Sequence, residues 1–150
     1  GLPAFVDDAV DAGVDGIIVP DLPPDEASDL IRLSKKAGLD TIFLLAPTST
    51  EDRIKKVAQS SRGFLYYVSM TGITGSGLHL DGSMGMHLSE IRRHTEAPVS
   101  VGFGVSSPEE AAAVAKMADG VIIGSAIVRK FREAPEQLKD FLTDLRRSIR

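Results

Sequence analysis

The stretch Pro98–Ala126 constrains the fold of this chain more than any other. It contains two short β-branched runs, Val99–Val101 and Val121–Ile123, and each is followed by glycine and small polar residues. Between them, Ser107 is a good N-cap, Pro108 suits the first helical position, and Glu110 completes a capping box. The pattern predicts two strands with one helix between them, each strand ending in a glycine turn.

The two glycine turns predict an anion site. The first contains Gly102 and Gly104, and the second is Gly124-Ser125, followed directly by an apolar segment that begins at Ala126. If the two strands are parallel neighbours, both turns lie at one edge of the sheet, where backbone N–H groups and a helix N-terminus can receive a phosphate. The alternative is that each glycine only permits a tight turn, and the pattern alone leaves both open.

The whole chain repeats this strand–helix unit. Apolar runs alternate with amphipathic segments five times, which predicts parallel strands joined by right-handed crossovers. The predicted strands are Gly16–Val19, Thr41–Leu45, Phe64–Met70, Val99–Val101 and Val121–Ile123. An open doubly wound sheet collects its ligand groups at one switch point, whereas a barrel distributes them over all its βα loops. Special residues follow all five runs here, so we predict an α/β fold forming part of a (β/α)₈ TIM barrel.

The composition of the chain argues against several classes of function. The chain has 150 residues, a net charge of −4 and no cysteine. Mixed, mildly acidic charge argues against a nucleic-acid or anionic-membrane surface, and the lack of a long apolar run argues against a membrane span. His79, His87 and His94 show no ligand spacing, so we expect solvated or loop histidines and no metal site. The absence of cysteine fits a reducing compartment, and we expect a cytoplasmic location.

Five segments, in order along the chain, resemble the tryptophan synthase α subunit family. They are Gly13–Pro24 (GVDGIIVPDLPP), Phe43–Thr50 (FLLAPTST), Tyr66–Gly75 (YYVSMTGITG), Val101–Pro108 (VGFGVSSP) and Ala118–Val128 (ADGVIIGSAIV). The resemblance implies that residues 1–150 are the C-terminal part of a single TIM-barrel domain, carrying its strands four to eight. It also implies a lyase that cleaves indole-3-glycerol phosphate to indole and glyceraldehyde 3-phosphate in tryptophan biosynthesis.

The resemblance also assigns roles to residues. Phosphate-binding positions match Gly75, Gly104, Gly124 and Ser125, and substrate-binding positions match Tyr66, Thr74 and Phe103. The two catalytic carboxylates of the family have no counterpart, so none is expected in this chain. The expected partner is the β subunit, in an α₂β₂ complex, and its pyridoxal phosphate is not a cofactor of this chain. Asp21 matches a position near the β-subunit contact.

Other interpretations remain at this stage. Asp21 follows a predicted strand beside Pro23 and Pro24, where turn chemistry explains an aspartate equally well. Tyr66 and Tyr67 alternate across a strand, so only one can face a barrel interior, and both could be packing residues. The chain could also be a non-catalytic partial barrel that binds a partner or a phosphate ester, or belong to another phosphate-binding barrel enzyme.

Overall fold

The computed structural model describes residues 1–69, 82–102 and 104–150. Its strands are β1 (Gly16–Ile18), β2 (Asp40–Ile42), β3 (Leu44–Leu45), β4 (Leu65–Val68), β5 (Val99–Gly102) and β6 (Gly120–Ile122). Its α-helices are α1 (Leu2–Asp11), α2 (Ser28–Ala37), α3 (Glu51–Ser60), α4 (Gly82–Arg92), α5 (Pro108–Ala115), α6 (Ser125–Glu133) and α7 (Leu138–Ser148). Within these residues no helix has the length and hydropathy of a membrane span.

The strands form one row whose spatial order equals their order in the chain. β1 pairs with β2, and β3, β4, β5 and β6 pair in succession, always in parallel. β2 and β3 are one predicted strand interrupted at Phe43, whose amide faces the Ser61 hydroxyl oxygen at 3.3 Å and whose carbonyl accepts from Tyr66. The row therefore contains five strand–helix units without a reversal in order, which confirms the predicted partial barrel and excludes a doubly wound order for the described strands.

The helices cover one face of the row. Leu45, Leu65, Tyr67, Val99 and Val101 on that face are at most 1% exposed. They pack in one cluster with residues from α3, α4, α5 and α7. The opposite face, called the inner face below, carries Leu44, Tyr66, Ser100 and Gly120 in one register layer. In a (β/α)₈ barrel the face without helices points into the barrel interior, which is filled by layers of side chains, and ligands bind at the carboxyl ends of the strands.

Candidate phosphate and substrate site

The carboxyl ends of β5 and β6 bring the two glycine turns together. Gly102 pairs with Ile122, and Gly104 and Gly124 each lie two residues farther along their own chain segment. Neighbouring strands are about 4.8 Å apart, so the two turns flank one notch at this edge. Gly104 has φ +88°, a conformation that favours glycine, and Gly104, Gly124 and Ser125 are exposed.

The helix that follows β6 presents its N-terminus to this notch. Gly124 is the N-cap of α6, Ser125 is its first residue, and no side chain caps it. The first N–H groups of an α-helix have no partner within the helix, and they carry the positive end of its dipole. An anion placed beside Gly124 and Ser125 therefore meets N–H donors that the helix itself does not satisfy.

The helix that follows β5 differs, because its own sequence caps it. The Ser107 hydroxyl accepts from the Glu110 amide at 3.3 Å. The Glu110 carboxylate accepts from the Ser106 amide at 2.7 Å and from the Ser106 hydroxyl at 2.9 Å. The predicted N-cap is thus observed, and the Glu110 carboxylate adds a hydrogen bond to Ser106 just before it. Of these two helix N-termini, that of α6 is the one left to a ligand.

Tyr66 lies on the inner face, one register layer from this edge. A Cβ atom placed on Gly102 would lie 2.5 Å from the Tyr66 hydroxyl oxygen and 2.7 Å from Cε2 of its ring, so the ring lies directly over the glycine. Burial raises the pKa of the Tyr66 hydroxyl above its ordinary value. Tyr66 thus offers an apolar ring and a protonated hydroxyl to the inner face, and its role in substrate binding stays a prediction.

Tyr67 points the other way, into the core beneath the helices. It is 1% exposed, and its hydroxyl lies 3.1 Å from Nδ1 of His87 in α4. The expectation of a solvated or loop histidine is wrong for His87, because the buried hydroxyl of Tyr67 takes it as a hydrogen-bond partner across the helix–sheet interface.

The remaining predicted residues have different positions. Asp21 is exposed in the loop after β1, at the same edge as the notch, and its assignment to a partner contact stays a prediction. Thr74, Gly75 and Phe103 lie outside the described residues, and His79 does as well. A cavity of about 630 Å³ runs along α7 and contains none of the predicted site residues.

One cluster resembles a metal-ligand set. Glu51, Glu90 and His94 bring one ligand atom each within 4.8 Å of one another. Glu51 also pairs with Lys55 at 2.6 Å, and Glu90 with Arg93 at 2.7 Å. Each of these glutamates is thus already paired with a cation of its own segment, and the expectation that the chain carries no metal stays a prediction.

Two contributors to the site were missed by sequence reasoning. Gly102 was treated as a turn residue, but it ends β5 and provides the surface on which Tyr66 lies. Ser69 was not singled out, although its backbone amide and its hydroxyl both donate to the Gly102 carbonyl. A serine just after a strand is a weak signal for such a bond, because the sequence does not show which carbonyl it faces.

The comparisons with known proteins agree with this geometry. The sequence profile described as tryptophan synthase alpha chain matches residues 1–150. The chain belongs to the tryptophan synthase alpha chain family. A tryptophan synthase alpha chain of Geobacter sulfurreducens is 47% identical over 154 residues, which is 99% of this chain and 58% of that relative. One from Dehalococcoides mccartyi is 46% identical, covering 99% of this chain and 59% of that relative.

Solved structures of the family show the same architecture. Tryptophan synthase from Mycobacterium tuberculosis, in an open form with BRD0059 bound, superposes with a TM-score of 0.89 at 37% identity, covering all of this chain and 56% of that one. Tryptophan synthase subunit alpha from Legionella pneumophila superposes with a TM-score of 0.84 at 37% identity, covering 99% of this chain and 57% of that one. The chain thus spans between half and three-fifths of these relatives' length.

Proposed function

We propose that this chain supplies the phosphate anchor and part of the indole pocket of a tryptophan synthase alpha subunit. The reaction is the lyase cleavage of indole-3-glycerol phosphate to indole and glyceraldehyde 3-phosphate. The observation that carries the proposal is the N-terminus of α6, which no side chain caps and which lies beside Gly104 at the carboxyl edge of the strands. Tyr66, on the inner face next to this edge, supplies an aromatic surface for the indole ring.

The anchor contributes to catalysis by positioning. Binding energy from a phosphate remote from the reacting carbon holds the substrate in place for the chemical step. Cleavage also needs an acid to protonate the indole ring carbon and a base to take the glycerol hydroxyl proton. Among the described residues, Asp21 is the acidic residue nearest after a strand end at this edge, and one carboxylate cannot serve at two separated atoms. We therefore assign both catalytic carboxylates to the length of the family that this chain does not span.

The proposal extends to partner and cofactor. The chain itself needs no cofactor, and pyridoxal phosphate belongs to the β subunit that receives the indole. Asp21 is exposed in the loop after β1, where a partner subunit can reach it. Thr74, Gly75 and Phe103 complete the proposed substrate site by family resemblance, and we propose that the protein works in the cytoplasm.

Replacement of Gly124 by glutamate tests the phosphate site. A Cβ atom at Gly124 would meet no heavy atom within 4 Å, and the backbone there has φ −115°, so the new side chain fits the fold. It would place a carboxylate where the phosphate binds, and we expect calorimetry to show loss of glycerol 3-phosphate affinity.

The matched control is Gly1→Glu, since Gly1 is also the N-cap of a helix without a side-chain cap. It adds the same charge at the opposite end of the row of strands, and affinity should be unchanged. Unaltered affinity in Gly124→Glu would place the anion elsewhere, and equal losses in both variants would point to net charge as the cause.

A further inference from the structure

The Gly102 carbonyl, at the end of β5, accepts two hydrogen bonds from one residue, Ser69. Ser69 follows β4, and its backbone N–H donates to the Gly102 carbonyl oxygen at 3.0 Å. Its hydroxyl donates to the same oxygen at 2.9 Å. Ser69 is 5% exposed, so little water competes for this bond.

The direction of the chain beyond β5 depends on this carbonyl. A carbonyl oxygen is coplanar with the peptide on the carboxyl side of its residue, so holding the Gly102 oxygen holds the direction in which the chain leaves β5. Glycine has more backbone freedom than any other residue, so Gly102 cannot fix that direction by itself. Gly104 lies two residues farther on and has φ +88°, in the left-handed region.

We infer that Ser69 is a positioning residue of the phosphate site. Its hydroxyl fixes the Gly102 carbonyl, and thereby the direction in which β5 leads towards Gly104, Gly124 and Ser125, where a phosphate monoester binds. Ser69 acts through the backbone of β5 and not by touching the phosphate. This inference rests on the proposed function, because it presumes that the notch holds a phosphate group.

An isosteric pair of substitutions separates the hydroxyl from packing. Ser69→Thr and Ser69→Val have side chains of the same shape, both suit extended backbone, and only threonine keeps the donor. Calorimetric titration of the full 150-residue chain with glycerol 3-phosphate should show Ser69→Thr within about twofold of the unsubstituted chain. Ser69→Val should bind roughly fivefold more weakly, as expected for one neutral hydrogen bond. Thermal melting of each variant establishes that the folded state is being titrated.

Further variants give the test its controls. Ser69→Ala removes the hydroxyl without adding volume, so it replaces Ser69→Val if the larger side chain prevents folding. Its affinity for glycerol 3-phosphate should fall by the same factor as that of Ser69→Val. Ser89→Ala removes a hydroxyl that donates to the Gly85 carbonyl at 2.8 Å on the exposed side of α4, and it should leave the affinity unchanged.

The outcomes separate this inference from the proposed function. Equal binding by the threonine and valine variants would overturn the positioning role while leaving the phosphate site intact. No binding of glycerol 3-phosphate by the unsubstituted chain would overturn the phosphate site, and the positioning role with it.

Discussion

At the scale of single residues, the inner face depends on the fit between Tyr66 and Gly102. The three heavy atoms nearest to a Cβ placed on Gly102 all belong to the Tyr66 side chain. The neighbouring Gly120 has the same relation to Ser100, whose Oγ would lie 2.5 Å from the new atom. At both positions a facing side chain on the adjacent strand would have to shift to admit a Cβ atom, so glycine here serves close packing.

Gly102→Ala should therefore cost stability through steric overlap with Tyr66. Overpacking of this kind typically costs about 1–3 kcal/mol. Urea unfolding should show that Gly102→Ala lowers the free energy of unfolding by this amount in the unsubstituted chain. The same substitution made in a Tyr66→Ala background should lower it by almost nothing, because the clashing ring atoms are absent there. An undiminished cost in the double variant would show that the backbone at Gly102, and not the ring, rejects a side chain.

At the scale of elements, Asp119 connects the amino ends of β5 and β6 to the end of α4 through hydrogen bonds. The Asp119 carboxylate accepts from the Val99 amide at 2.9 Å and from Arg92 at the end of α4 at 3.3 Å. The backbone hydrogen bond from Val99 is the main reason that the pKa of Asp119 lies below its ordinary value of 3.8, and Arg92 adds to it. The folded state therefore binds this proton less readily than the unfolded chain does.

That shift predicts a loss of stability in acid. A carboxyl with a lowered folded-state pKa contributes fully above its unfolded pKa, and the contribution disappears as the pH falls through the folded value. Asp119→Ala should lower the free energy of unfolding by about 1 kcal/mol at pH 7, since the side chain is nearly half exposed and water screens it. Denaturant unfolding from pH 7 to pH 3 should show the two proteins converging below about pH 4. If the difference in free energy of unfolding between the two proteins stayed constant over this range, the substitution would have removed packing and not the interactions of the carboxylate charge.

Element boundaries show what the sequence could and could not predict. The β-branched runs predicted all five strands, and Ser107 with Pro108 predicted where α5 begins. Gly102 and Gly120 were left outside the strands, but each pairs with a residue of its neighbour and so belongs to the ladder. A 3-10 turn, Pro24–Glu26, precedes α2, and no local pattern described above indicates it. These details depend on pairing between distant segments, which local patterns do not contain.

At the scale of the whole molecule, exposed apolar side chains collect at the two ends of the row of strands. Large apolar patches on a surface typically mark an interface. Among the described residues, Leu2, Phe5, Val10, Val14 and Ile18 lie at the β1 end, Val128, Phe131 and Leu142 lie on α6 and α7 at the other end, and Met86 lies on α4. Such a distribution suits a partial barrel whose remaining strands and helices would adjoin both ends.

The 150-residue chain alone should therefore release indole from indole-3-glycerol phosphate no faster than background. General acid and base groups typically contribute about 10²–10⁴-fold each, and the proposed pair lies outside this chain. Co-expression with the part of the Geobacter sulfurreducens relative that this chain does not span should restore turnover, measured as indole released. Turnover by the isolated chain that falls in Asp21→Asn would show that the chemistry is within these residues.

Phosphate binding at the proposed site would have a second effect, because the strands are unequally buried. The middle strands have neighbours on both sides and residues that are fully buried, whereas no residue of β6 is fully buried and it pairs only with β5 among the described strands. β6 should therefore fray more readily than the middle strands, and it leads into Gly124 and Ser125. A ligand that binds only while β5 and β6 are paired shifts this local equilibrium toward closure by mass action. A bound substrate would thus stabilise an edge strand of the row, and the order of this edge would rise with the substrate concentration.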